Sequence, residues 1–121
     1  MSSIVIVGNV TRVDVLKYSQ GGTCYFHFGV AATRKKKDTE TTVFYDVTCF
    51  GSVAENAAMT LEKGTRVIVV GELEDVQIYN TADGVARAST KVIGDDVGVD
   101  LRWATAQVTK SERRQPQDEA F

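Results

Sequence analysis

The sequence predicts an all-β domain. Three observations carry that reading: β-branched and aromatic residues gather in runs with two-residue alternation, Gly, Asn and Asp turn signals separate the runs, and only residues 52–61 show a helical stripe. A length of 121 residues suffices for one domain with a modest core, and not for two.

Residues 4–16 are rich in β-branched types and interrupted by Gly8-Asn9, which predicts one long strand with a bend or bulge. Ser19-Gln20-Gly21-Gly22 reads as a turn. A second strand over residues 24–32 places Cys24, Phe26, Phe28 and Val30 on a core face and leaves Tyr25, His27 and Gly29 on the other. The polar stretch 33–40 reads as a loop. It leads into a third strand, residues 41–50, with Val43, Tyr45, Val47 and Cys49 on one face and Phe44, Asp46, Thr48 and Phe50 on the other. Two aromatics thus lie on the more polar face. The helix that follows takes Ser52 as N-cap and Glu55 as capping-box partner, carries Val53, Ala57 and Leu61 along its stripe, and ends at Lys63-Gly64. Residues 66–73 form a fourth strand bent at Gly71, residues 80–84 carry the Asn and Asp-Gly signals of a hairpin, and a fifth strand runs from about 85 to 97. Residues 101–108 alternate well enough for an additional strand, or an arm laid on a neighbouring subunit. Beyond Lys110 the chain is polar and is expected to be disordered.

Five strands with one helix between the third and fourth is the order of the OB-fold, a five-stranded, partly open Greek-key barrel, here with an extra C-terminal strand or arm. The domain is expected over residues 1–110, with a short tail over 111–121. Such barrels often bind oligonucleotides or oligosaccharides, but the order of elements predicts a fold and not an activity.

Composition excludes several classes. Hydrophobic residues make up 43% and charged residues 25%, the balance of an ordinary globular chain, and no apolar run approaches a membrane span. Met1-Ser2-Ser3 leads straight into Ile4-Val5-Ile6-Val7 without a secretory signal, so a cytoplasmic location is expected. Cys24 and Cys49 sit in strand-like runs and read as reduced core residues. His27, the only histidine, has no partner at metal-ligand spacing and reads as an outward or satisfied strand residue; neither metal nor cofactor is expected. No phosphate loop, nucleophile elbow or His-Glu-x-x-His motif supports an enzyme, and the carboxylates of Glu74-Asp75 and Asp95-Asp96 do not converge by spacing.

A net charge of −2 is unusual for a nucleic-acid binder, but it hides an uneven distribution. Residues 1–70 hold 8 basic and 6 acidic side chains, residues 71–100 hold 2 and 7, and residues 101–121 hold 4 and 3. Within the first segment, Arg34-Lys35-Lys36-Lys37 forms a local basic block that can attract phosphate.

Four segments bear a family resemblance. Ile4-Val5-Ile6-Val7-Gly8-Asn9-Val10 resembles the opening strand of bacterial single-stranded DNA-binding proteins. Cys49-Phe50-Gly51 followed by Ala54-Glu55-Asn56 resembles the end of their third strand and the start of their helix, and the stretch from Lys63-Gly64 through Gly71-Glu72-Leu73 resembles their fourth strand. Leu101-Arg102-Trp103-Ala104-Thr105-Ala106 and the residues to Lys110 are similar to a segment of the actinobacterial branch. Each motif alone is weak; the ordered set spans nearly all of residues 4–110.

The resemblance implies sequence-independent binding of single-stranded DNA in replication, recombination and repair, by a homo-oligomer, a tetramer, associated with the nucleoid. It implies stacking of bases on Phe44 and Phe50, with Tyr79 near another aromatic site, and phosphate contacts by Lys and Arg. Candidates for the latter are Arg34, Lys35, Lys36 and Lys37, together with Arg87 and Lys91, which lie four apart on one face of the fifth strand. Against these stand plain alternatives: packing of the two phenylalanines on another subunit, a tyrosine that covers the barrel, and a solvated charge run. Trp103 reads as an anchor at a subunit contact. The family's acidic tip, which recruits replication and repair proteins, is represented by Asp118, Glu119 and Phe121, with Ala120 in place of proline. Departures are the missing loop tryptophan between the second and third strands, the acidic Glu74-Asp75 where relatives carry basic residues, and the brevity of the tail, which would suit a paralogue or a virus-encoded member. The rival reading is a primosome-type OB-fold whose DNA surface has become a protein-interaction surface.

Overall fold

The computed structural model describes residues 2–80, 82, 84 and 86–111. In chain order the elements are β1 (Ser2–Val13), β2 (Lys17–Tyr18), β3 (Cys24–Lys36), β4 (Thr39–Phe50), α1 (Gly51–Thr60), β5 (Arg66–Asn80) and β6 (Ala86–Val99). The strands follow the order β1-β5-β6-β4-β3-β2, and β1 pairs with β3 as well, so five long strands close into a ring with α1 between the third and fourth of them. β4 meets β6 in parallel, and every other pairing is antiparallel. This is the OB-fold arrangement expected from the order of elements.

Alternation decides what fills the barrel. Ile6 and Val10 from β1, Phe26, Phe28 and Val30 from β3, Val47 and Cys49 from β4, Val67 and Val69 from β5, and Val92 from β6 are essentially inaccessible. Phe26 and Phe28 stack with their ring centroids 5.6 Å apart. α1 closes one end of the barrel with Ala54 and Ala57, and Leu61 follows it into the core. Cys24 and Cys49 are free and buried, and burial, reinforced by the Asp95 carboxylate, pushes the Cys49 thiol up to about 12. The Cys24 thiol donates to the Gly51 carbonyl at 3.2 Å.

Four local expectations are corrected. Residues 33–40 are not an open loop: β3 runs to Lys36 and β4 starts at Thr39, so the basic block rides on a β-hairpin that projects from the barrel, with Lys37 in the left-handed region at φ 43°. The irregularity in β1 falls not at Gly8-Asn9 but between Val10 and Arg12. Ser52 is not the N-cap. Gly51, at φ 66°, already opens the helix directly from the strand, so Phe50 stands at the cap position and no side chain caps the first turn. Residues 101–111 form no strand, because the barrel already closes through the β1–β3 pairing without them; Leu101, Trp103 and Val108 stay exposed on an irregular arm. Arg102 lies 5.7 Å from the centre of the Trp103 ring, and the Ser111 hydroxyl donates to Asn56 Oδ1 at 2.9 Å. At the root of the arm, Arg66 Nε donates to Asp100 Oδ2 at 2.8 Å, which holds the Asp100 carboxyl below its ordinary range.

Candidate nucleic-acid interface

A barrel strand buries one row of side chains and turns the alternate row outward. The register of β3 with β4 runs unbroken from Tyr25↔Phe50 to Lys36↔Thr39, so the outward row can be read across both strands. Its successive pairs are Tyr25 and Phe50, His27 and Thr48, Gly29 and Asp46, Ala31 and Phe44, Thr33 and Thr42, and Lys35 and Glu40. Phe44 is 51% exposed and Phe50 48%, whereas their inward neighbours Val47 and Cys49 are buried. The two rings stand six positions apart along one strand, a distance of roughly 20 Å at about 3.3 Å per residue.

Around Phe50 the ring surface is larger than the third strand alone suggests. Tyr25 is its cross-strand partner, and Tyr25 meets His27 edge-on with centroids 5.4 Å apart. His27 Nδ1 lies 2.7 Å from Thr48 Oγ1, which makes it the satisfied strand residue expected from the sequence. Tyr25 belongs to this surface although nothing marked it in advance. Alternation shows that it faces outward, but its position opposite Phe50 depends on the pairing register.

The basic block divides. Lys35 shares the outward row with Phe44 and pairs with Glu40 at 3.7 Å, whereas Arg34 and Lys36 alternate onto the opposite face of the hairpin and Lys37 occupies its turn. Arg34, Lys36 and Lys37 form no ion pair among the described residues. On the far side of β4, Lys91 of β6 stands beside Asp46 in the parallel register, and Ser89 donates to Asp46 Oδ2 at 2.6 Å. Tyr79 and Arg87 face each other in the backbone register of β5 and β6, but their side chains are outside what the structure describes. Asp118, Glu119 and Phe121 lie outside the described residues altogether. No group of three or more His, Cys, Asp or Glu side chains converges on a metal-sized site among the described residues.

Comparison with known proteins decides the family. The model of the single-strand binding protein family matches residues 1–100. The chain belongs to this family. Among similar curated proteins, a single-stranded DNA-binding protein of Paenarthrobacter aurescens is 32% identical over 96% of this chain and 71% of its own length. One from Mycobacterium leprae is 34% identical over 93% of this chain and 70% of its own. Single-stranded DNA-binding protein 2 of Streptomyces coelicolor is 36% identical over 89% of this chain, which spans 57% of that relative. Two solved structures share the fold. The second single-stranded DNA-binding protein of Mycobacterium smegmatis matches with a TM-score of 0.69 at 26% identity, covering 90% of this chain and 98% of the other. The small single-stranded DNA-binding protein of S. coelicolor matches with a TM-score of 0.65 at 28% identity, over 83% and 93%. The actinobacterial resemblance of the sequence is thereby confirmed. In this family member the outward row of β3 and β4 carries Tyr25, Phe44 and Phe50 together with Lys35.

Proposed function

We propose that this chain binds and protects single-stranded DNA without sequence preference, in replication, recombination and repair, through a binding function with no chemical step. The observation that carries the reading is the outward row of β3 and β4, where Phe44 and Phe50 stay about half exposed on a strand whose other face is core. Rings on a strand face suit any base, because every base offers a π-face, and each such contact contributes about 1–3 kcal/mol. Phe44 and Phe50 are the stacking residues, with Tyr25 beside Phe50 and Tyr79 as a further candidate. Phosphates meet Arg34, Lys35, Lys36 and Lys37 on the hairpin and Arg87 and Lys91 on β6.

The protein works as a homo-oligomer, a tetramer built from two-fold dimers. In support, Val5 and Val70, and Val7 and Ile68, are cross-strand pairs on the outer face of β1 and β5, all of them exposed at 37% or more. An apolar strip that a single barrel does not need is a surface for a second copy. Asp118, Glu119 and Phe121 would recruit replication and repair proteins at the nucleoid, in the cytoplasm; no helix among the described residues is long and apolar enough to cross a membrane. The primosome-type reading is not favoured, because the similar proteins and structures are described as single-stranded DNA-binding proteins.

Titration of oligo-dT at several salt concentrations tests the proposal. Binding with an affinity that falls linearly in the log-log plot is the expected result. A chain that leaves the oligonucleotide's mobility and its own fluorescence unchanged at micromolar concentration would be a protein-interaction module instead.

A further inference from the structure

Between the Phe50 and Phe44 ends of the outward row lies a gap with no ring: the pair Gly29 and Asp46. A side chain from a third strand fills it. In β1, Val10 pairs with Val30, both of them core residues, and regular alternation would next pair Thr11 with Gly29 and send Arg12 inward against Phe28. The bulge at Thr11 prevents this. One extra residue shifts the register so that Arg12 itself faces Gly29 and turns onto the outer surface.

Gly29 then serves as a saddle. A β-carbon there would stand 2.5 Å from Thr11 Oγ1, 3.2 Å from Arg12 Cγ and 3.6 Å from Arg12 Nε, so the arginine stem lies directly on the glycine backbone. The guanidinium is fixed at its edge. One amino group pairs with Asp46 Oδ1, the other lies 3.5 Å from Asp14 Oδ1, and the second oxygen of Asp46 is held by the Ser89 hydroxyl at 2.6 Å. Three side chains from three regions of the barrel thus orient one planar cation that remains about half exposed. Its charge is already matched by two carboxylates, which leaves it little to offer a phosphate. What it still offers is its face.

We propose that Arg12 is a base-stacking platform in the gap between Phe50 and Phe44, positioned by the β1 bulge and by Asp46. Guanidinium planes stack on bases as aromatic rings do, and a plane held flat by edge contacts is pre-organised for it. The inference rests on the DNA-binding reading above and adds a residue to that surface.

Two charge-conserving changes test it. Arg12→Lys keeps the cation and removes the plane; the double variant Arg12→Phe with Asp46→Asn keeps the net charge and restores a plane. Oligo-dT affinity should fall about fivefold or more in Arg12→Lys at an unchanged salt slope, and return to within about twofold of the parent in the double variant. On an abasic strand of the same length, Arg12→Lys and the parent should bind alike, a result that mere structural damage would not produce. Parental affinity of Arg12→Lys for oligo-dT, or an equal loss on the abasic strand, would overturn the inference. The underlying reading fails separately, if the parent chain itself does not bind oligo-dT.

Discussion

Phe44 and Phe50 lie on the same strand as Val47 and Cys49 but experience opposite surroundings, and two substitutions turn that contrast into numbers. Phe44→Ala and Phe50→Ala should each weaken oligo-dT binding by about 1–3 kcal/mol, roughly 5- to 150-fold, with little change in melting temperature, because half-exposed rings contribute little to the core. Equal affinity of both variants and the parent in a fluorescence titration would return the rings to a packing role. Cys49 shows the inward environment. Its thiol, pushed up to about 12 by burial, stays neutral when an unfolded chain would already ionise near 9.0. The folded state therefore keeps its full advantage below pH 9 and loses it as pH rises toward 12. Cys49 should resist a thiol reagent at pH 8 in the native protein and react at once in denaturant, a contrast that a colorimetric thiol assay reads directly. These inward and outward assignments were legible in the sequence, because a period of two needs no tertiary information. Arg12 was not: a bulge inverts its face, and nothing in residues 9–13 announces where an extra residue will be accommodated.

At the scale of elements, the β3–β4 hairpin carries the next expectation. Replacing Lys35, Lys36 and Lys37 with Ala should reduce the slope of log affinity against log salt by about 0.7 for each phosphate that the hairpin no longer neutralises. The division of the hairpin into two faces sharpens this. Lys35 is already engaged with Glu40, whereas Lys36 and Lys37 have no such partner among the described residues, so single Lys36→Ala and Lys37→Ala variants should flatten the slope more than Lys35→Ala. An identical slope in the triple variant would leave the hairpin as a solvated projection. The sequence reads this segment as a loop because its residues are polar, and in the structure none of them is buried. Polar composition marks exposure and not the lack of pairing, and a two-stranded ribbon satisfies its backbone without a core face. The helix start was misplaced for a related reason. Ser52 and Glu55 have capping-box spacing, but the turn out of β4 is made at Gly51, which moves the cap two residues earlier, to Phe50.

The whole barrel presents two unlike exteriors: the row of rings and charges on β3 and β4, and the valine and isoleucine strip on β1 and β5. The second is the proposed assembly surface. Light scattering should return a mass several times 13.2 kDa for the parent, and Val5→Asp with Val70→Asp should lower it toward that value, since opposed carboxylates in a buried strip are strongly disfavoured. A parent that scatters as a monomer at micromolar concentration would remove the oligomer. The apolar second face of the fourth strand was readable in Ile68 and Val70; its continuation through Val5 and Val7 required the β1–β5 register.

The ring of strands is not equally strong all round. β3 and β4 pair through twelve residues each, whereas the parallel meeting of β4 with β6 spans four, from Tyr45↔Thr90 to Thr48↔Ile93. That join is one of two short ones, since β1 meets β3 through only four pairs interrupted by the bulge, and deuterium should enter the amides of residues 90–93 that face β4 before those of residues 25–28 in the long β3–β4 pairing. The Asp46–Ser89 hydrogen bond crosses from β4 to β6 next to this join, at the edge of the proposed platform. A strand of DNA laid across it would act as a clasp, so that saturation with oligo-dT should slow exchange at residues 90–93 more than anywhere in the already well-zipped β3–β4 pair.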